Sequence, residues 1–78
     1  MSSAPKLPLT LLRENVNKQI RVQLKDGTRI QGVLLSLDEY MNLLLKDAVE
    51  LDAKNNPKVK WGLVLVRGNN ILWVELLS

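Results

Sequence analysis

IRVQLKDGTRIQGVLLSL, residues 20–37, is the stretch on which the fold turns. It begins with a clean alternation: Ile20, Val22 and Leu24 are apolar, while Arg21, Gln23 and Lys25 are polar. Successive side chains of a strand point to opposite faces, so this period of two describes a strand with one face in a core. Asp26-Gly27 follows, a pair suited to the positive φ angles of a two-residue type I′ hairpin turn. The return strand is expected over residues 28–37. Its alternation loses phase beyond Gly32, where Val33, Leu34, Leu35 and Leu37 are all apolar. A glycine at a phase change inside a strand marks a bulge or a sharp bend, and a small barrel needs bent strands to close.

Upstream, the period is helical. Leu9, Leu12 and Val16 recur at spacings of three and four, and Pro8 suits a first turn. A helix over residues 7–15 follows, too short to stand without packing on something, with residues 1–6 as a flexible leader. Downstream, further strands are expected over 41–50, 60–66 and 70–76. A polar segment, DAKNNPK, separates the first two, and Arg67-Gly68-Asn69 turns between the last two. The chain is therefore mostly β: a short N-terminal helix followed by a five-stranded, strongly bent antiparallel barrel of the SH3 or OB kind.

A chain of 78 residues makes one small domain whose core is marginal alone. It has no cysteine and no histidine, so disulfides and the ordinary zinc sites are excluded, and oligomerisation is the remaining usual remedy. The last two strands point the same way. Trp61, Leu63 and Leu65 are expected on one face of the fourth strand, with Val64 and Val66 on the other; the fifth sets Ile71 and Trp73 against Leu72, Val74 and Leu76. Strands apolar on both faces are covered on both faces. The helix and the C-terminus can cap one side; the sharper reading is that both strands meet neighbouring copies edge to edge. No apolar run approaches the ~20 residues of a membrane span, and no signal peptide is recognisable, so a soluble, cytoplasmic protein (nuclear or cytoplasmic in a eukaryote) is expected. Charge is segregated: residues 1–31 carry six basic and two acidic side chains, residues 32–53 one basic and five acidic, and residues 54–78 four basic and one acidic. Such segregation creates local positive patches suited to phosphate, although ordinary solvated strand faces give the same counts.

Enzymatic readings are poor. The common nucleophile–base pairs need a His or Cys, Asp38 and Glu39 are neighbours that point apart on a strand, and no Gly-rich phosphate loop with its Lys is present. No metal or other cofactor is expected. Asp47, Glu50 and Asp52 make a solvated strand end sooner than a cation site. Two turns carry suggestive groups: Asp38-Glu39-Tyr40-Met41-Asn42 and Arg67-Gly68-Asn69-Asn70. An aromatic face, an amide and a guanidinium make a pocket for an unstacked RNA base. Each also has an ordinary reading: Tyr40 as a core aromatic, Asn42 and Asn69 as turn residues, Arg67 as a partner for Asp38.

Taken together and in order, LKDGTRIQGVLLSLDEYMNLLLKDAVE resembles the first motif of the Sm and Sm-like (LSm) family, and LVLVRGNNILWVELL resembles the second. The resemblance covers nearly the whole chain: a single Sm domain over 7–78, with the first motif at about 18–50, a variable loop at about 51–59 and the second motif at about 60–77. It implies a ring, usually of seven subunits, closed by pairing the fourth strand of one copy with the fifth of the next. It further implies that both turns face a central pore and bind uridine-rich single-stranded RNA. On this resemblance Tyr40 stacks on a base, Asn42 bonds the uracil edge, and Arg67 closes the sandwich beside Gly68, which allows close backbone approach. Asp38 supports the site by accepting hydrogen bonds from Asn42 and Arg67. Asn69 stands where many archaeal relatives are acidic. The lack of histidine argues against the bacterial Hfq branch, and the compact chain looks most like an archaeal Sm-like protein. The expected function is a non-catalytic RNA scaffold in RNA processing or ribonucleoprotein assembly. The alternative is a subunit of a hetero-oligomeric Sm/LSm ring, with related paralogues as partners, acting in splicing or mRNA decay mainly through protein contacts. A peptide-binding SH3-like barrel is a weaker third option.

Overall fold

The helix α1 forms over Leu9–Arg13, inside the expected 7–15 but shorter at both ends. The computed structural model describes residues 8–77, so the expected leader at 1–6 and the start of the helix at Leu7 lie outside the described residues. The helix ends early because the Asn15 backbone N–H bonds Leu12 O at 2.9 Å, a tightened turn, and the Asn15 side-chain amide donates to Leu11 O at 2.8 Å. Asn17 then takes a left-handed φ of 74°, which stops any continuation. Leu12 is wholly buried, and Val16 packs against the core beside it.

Five strands follow: β1 (Gln19–Leu24), β2 (Arg29–Leu37), β3 (Leu43–Leu51), β4 (Pro57–Val66) and β5 (Ile71–Leu76). They form one antiparallel sheet in the order β4-β3-β2-β1-β5. Ile20, Val22, Leu34, Leu43, Leu45 and Ile71 fill its interior with Leu12. Gly32 sits where β3 crosses closest to β2: an added Cβ would lie 2.9 Å from Lys46 O and 3.1 Å from the Ala48 Cα. The ladder jumps there from Gln31↔Val49 to Val33↔Lys46, and Asp47 absorbs the extra residue at φ 51°. The bend expected at Gly32 is thus a bulge with a steric cause.

Three local expectations are corrected. The β1–β2 turn is not type I′, because only Gly27 has positive φ, 95°. Leu24 N bonds Thr28 O at 2.8 Å, Gly27 N bonds Leu24 O at 3.0 Å, and the Asp26 carboxylate accepts the Thr28 N–H at 2.9 Å. That is a three-residue loop ending in a left-handed glycine, favoured by the Asp26 side chain. Second, β4 starts at Pro57 rather than 60, since Asp52 N–H bonds Asn56 O at 2.9 Å and closes the preceding loop tightly. Third, the β1–β5 register shifts between Gln23 and Leu24, leaving Leu72 as an extra residue. Ile71 and Val74 are both buried while Leu72 is exposed, so simple alternation fails in β5.

The two ends of the sheet order, β4 and β5, are edges. Val59, Trp61, Leu63 and Leu65 on β4 stand open to solvent, the last three at 53, 66 and 61% exposure. An edge of this length and apolarity is a pairing surface. No helix among the described residues is long and apolar enough to cross a membrane.

Candidate functional site

Antiparallel pairing brings two connections to the same end of the sheet. Leu43 pairs with both Leu37 and Val66, so the β2–β3 turn (residues 38–42) lies beside the β4–β5 connection, a single 3-10 turn over Gly68–Asn70.

Asp38 builds the first of these. Its backbone N–H bonds Asn42 O at 3.2 Å, and its carbonyl accepts the Met41 N–H at 3.0 Å. Its carboxylate accepts the backbone N–H groups of Tyr40 and Asn42 through Oδ1, at 2.9 and 3.0 Å, and the Asn42 Nδ2 through Oδ2 at 2.9 Å. The hydrogen bond from the Asn42 side chain, then that from its backbone, holds the Asp38 carboxyl below its ordinary pKa; the Tyr40 N–H and the nearby Arg67 charge add to this. Met41 adopts φ 65°, unusual for a residue without a short polar side chain, and anchors itself by packing against the core. Tyr40 is consequently turned outward, 73% exposed, which removes its reading as a core aromatic.

Asn42 joins the two connections. Its Oδ1 accepts the Gly68 backbone N–H at 2.8 Å while its Nδ2 donates to Asp38. One partner is a donor and the other an acceptor, so the orientation of the amide is determined rather than free to flip. Gly68 is buried, and a Cβ there would overlap the Tyr40 carbonyl oxygen and lie 2.9 Å from the Met41 carbonyl carbon. The close approach expected of this glycine is therefore to the neighbouring turn.

Arg67 is exposed, and its side chain makes no hydrogen bond or ion pair with a described residue. The expectation that Asp38 accepts a hydrogen bond from Arg67 is corrected: only the charge of the guanidinium reaches the carboxylate. Tyr40, Asn42, Arg67, Gly68 and Asn69 together line an open concavity of about 470 Å³. Asp38 supports it from behind, and Asn69 belongs to its wall.

The loop at residues 52–56 provides an internal control. It has the same backbone pattern: Asp52 N–H to Asn56 O at 2.9 Å, Asn55 N–H to Asp52 O at 2.9 Å, Asn55 at φ 66°, and the Asp52 carboxylate accepting from Lys54 and Asn56 N–H groups. There Lys54 occupies the place of Tyr40, and the Asn56 side chain bonds no described residue. The turn thus requires its leading Asp and a left-handed fourth residue; it requires neither an aromatic nor a tethered amide. Met41 is the site residue that the sequence reading passed over. Its signal was the five-residue spacing shared by DEYMN and DAKNN, with Met where the second copy has the ordinary left-handed Asn.

A second concavity, about 390 Å³, lies at the opposite end between the β1–β2 and β3–β4 loops. Its polar groups are engaged within the chain: Glu50 accepts from the Trp61 indole at 3.2 Å and pairs with Lys58 at 3.8 Å, and Arg29 donates to Gln23 and Asn55.

Residues 10–76 match the family model described as LSM domain. The chain is 36% identical over 67 residues to a probable small nuclear ribonucleoprotein G of Drosophila melanogaster, covering 86% of this chain and 87% of that one. Among solved structures it is similar to a heptameric archaeal Sm protein, at 38% identity and a TM-score of 0.80 over 88% of this chain and 98% of the other. It is also similar to the Pyrococcus abyssi Sm protein in complex with a uridine heptamer, at 26% identity and a TM-score of 0.84 over 92% and 100%.

Proposed function

Because this chain belongs to the LSM-domain family, we propose that it assembles into a ring and binds uridine-rich single-stranded RNA at the turns 38–42 and 67–70, without catalysis. The heptameric archaeal relative and the relative bound to a uridine heptamer support the ring and its ligand. The ring serves as a scaffold for RNA processing or ribonucleoprotein assembly, in the cytoplasm or, in a eukaryotic cell, in the nucleus or cytoplasm.

The observation that carries the site is the Asn42 amide held between Asp38 and the Gly68 N–H. Two hydrogen-bonding positions of that amide remain: one Nδ2–H and one Oδ1 lone pair. Uracil offers a carbonyl acceptor beside its N3–H donor, which complements that pair. With the base stacked in the same position, cytosine presents the reverse order at N3 and the C4 substituent, and reading it there would require the amide to flip and forfeit both internal bonds. Tyr40 stacks on one face of the base and the unpaired Arg67 guanidinium lies on the other, since stacking against aromatic rings and guanidinium planes is how splayed bases are held. Gly68 keeps the two turns in contact, and Asn69 completes the wall. Each site is weak alone, and repetition around a ring supplies avidity.

Anisotropy titration with labelled oligouridine tests the assignment. Asn42→Ala and Arg67→Ala should weaken binding while native mass spectrometry shows the oligomer of the wild type. Undiminished binding by both variants would place the RNA elsewhere. The similarity to a ribonucleoprotein G subunit favours a second reading, a member of a hetero-oligomeric ring. A chain that oligomerises only with related partners would support it.

A further inference from the structure

Residues 54–61 read KNNPKVKW, three lysines and a tryptophan with no acidic residue among them. All eight are exposed, and the β3–β4 ladder passes over the last of them. Lys60 pairs with Val49 and Gly62 with Ala48, so Trp61 is the extra residue of a bulge, with Gly62 at φ 77° beside it. The bulge divides β4. Beyond it, residues 63–66 are an apolar edge fit for pairing. Before it, Pro57, Lys58 and Lys60 blunt the edge, as proline and lysine do where natural sheets avoid pairing. Trp61 is nonetheless held in place. Its indole N–H donates to Glu50 Oε1 at 3.2 Å, and the other oxygen of that carboxylate lies 3.8 Å from the Lys58 ammonium. One carboxylate thus sets an aromatic ring, 53% exposed, beside a cation whose side chain is itself mostly in solvent. The side chains of Lys54 and Lys60 make no hydrogen bond or ion pair with a described residue. A groove of about 350 Å³ opens beside the indole, walled by Thr28, Ile30, Glu50 and Val64.

We propose that Trp61 with Lys54, Lys58 and Lys60 is a second contact for single-stranded RNA, separate from the base pocket and indifferent to sequence. An unstacked base lies against the indole, and the lysines take the phosphates around it. Nothing there reads a base edge. The indole N–H and both Glu50 oxygens are engaged with each other and with Lys58, and an ammonium meets phosphate as a point charge, so any base stacks alike. A π-face among cations matches a polymer of bases and phosphates. An acidic peptide would leave the indole unused, and a second copy of the chain would have to lay a strand against Pro57. The 38–42 turn precedes β3 and the lysine-bearing loop follows it, so the nine residues of β3, at most roughly 30 Å of strand, separate the two contacts. An RNA that only fills the base pocket does not reach Trp61; one that continues past it by several nucleotides does.

Anisotropy titration of the full chain tests this with three labelled probes: a short oligouridine, the same oligouridine carrying a mixed-sequence single-stranded tail, and the tail alone. The tail should raise affinity by about fivefold or more, the low end of what one stacked base contributes, and added salt should erode the gain, as it does for phosphate contacts. Trp61→Leu, and separately Lys54→Gln with Lys58→Gln, should each remove the gain while the short probe binds as before and native mass spectrometry shows the oligomer of the wild type. The tailed probe should also quench tryptophan emission in the wild type but not in Trp61→Leu, where Trp73 remains; a Trp61 that only supports the fold would give no such difference. Equal affinity for the short and tailed probes, a gain that survives both sets of substitutions, or a Trp61→Leu chain whose oligomer falls apart would overturn the proposal, the last by making Trp61 part of a joint between copies. Binding of the tail alone by a chain that ignores oligouridine would instead overturn the uracil pocket and leave this contact standing.

Discussion

Asn42 stands between a carboxylate that asks for a donor and a backbone N–H that asks for an acceptor, and an amide is the side chain that answers both at once. Replacement by Asp would set two carboxylates together and leave one request unmet, whereas Ala meets neither. Arg67 differs, because its side chain bonds nothing within the described residues. Arg67→Ala should therefore leave the urea midpoint unchanged while weakening oligouridine binding by roughly the 1–3 kcal/mol per base that stacking contributes. Asp38 adds a pH dependence. Its pKa is depressed in the folded chain, so the stability it contributes is fully present above the ordinary carboxylate value and is lost as pH falls through the lower, folded one. Oligouridine affinity should stay flat from pH 8 to 5 and drop only below the usual carboxylate range, by anisotropy in constant ionic strength; Asp38→Asn should abolish that acid limb. At this scale the identities of Tyr40, Asn42 and Arg67 were legible because aromatic, amide and guanidinium groups in turns stand out from an apolar chain. The Asn42–Gly68 bond was not, since nothing in the spacing of residues 26 apart tells which atom an amide presents.

The elements were legible wherever one side chain in two is buried. The alternation of residues 20–25 gives β1 directly, and the phase change at Gly32 gives the bulge. It fails where backbone geometry is settled by a side chain or by a register shift: the Asp26 carboxylate selects a three-residue loop, and the extra Leu72 reverses the faces of β5. Gly68 shows how little latitude the joined turns have. A Cβ there meets the Tyr40 and Met41 backbone, which cannot move aside as a flexible side chain would. Gly68→Ala should lower stability by about 1–3 kcal/mol, as overpacking does, and should weaken oligouridine binding because the turns separate. Chemical denaturation and anisotropy on the same sample check both. Gly27, by contrast, has open space around it and a positive φ, so there Asn should be tolerated and Val should not.

At the scale of the molecule, a core with Leu12, Leu34 and Leu45 wholly enclosed coexists with an edge that leaves Trp61 half exposed. Leu34→Ala should cost about 2–5 kcal/mol by urea denaturation, as large-to-small changes in packed cores do. The two-faced apolarity of the last strands foretold the open edge, because a chain this short has too little interior to hold them. In the proposed function a fixed amide, repeated around a ring, reads uracil. The most direct test of that reading is paired anisotropy titration of the assembled wild-type protein with oligouridine and oligocytidine of equal length and salt. Clear preference for oligouridine, lost in Asn42→Ala, is the predicted result; equal affinity for the two oligomers would contradict it.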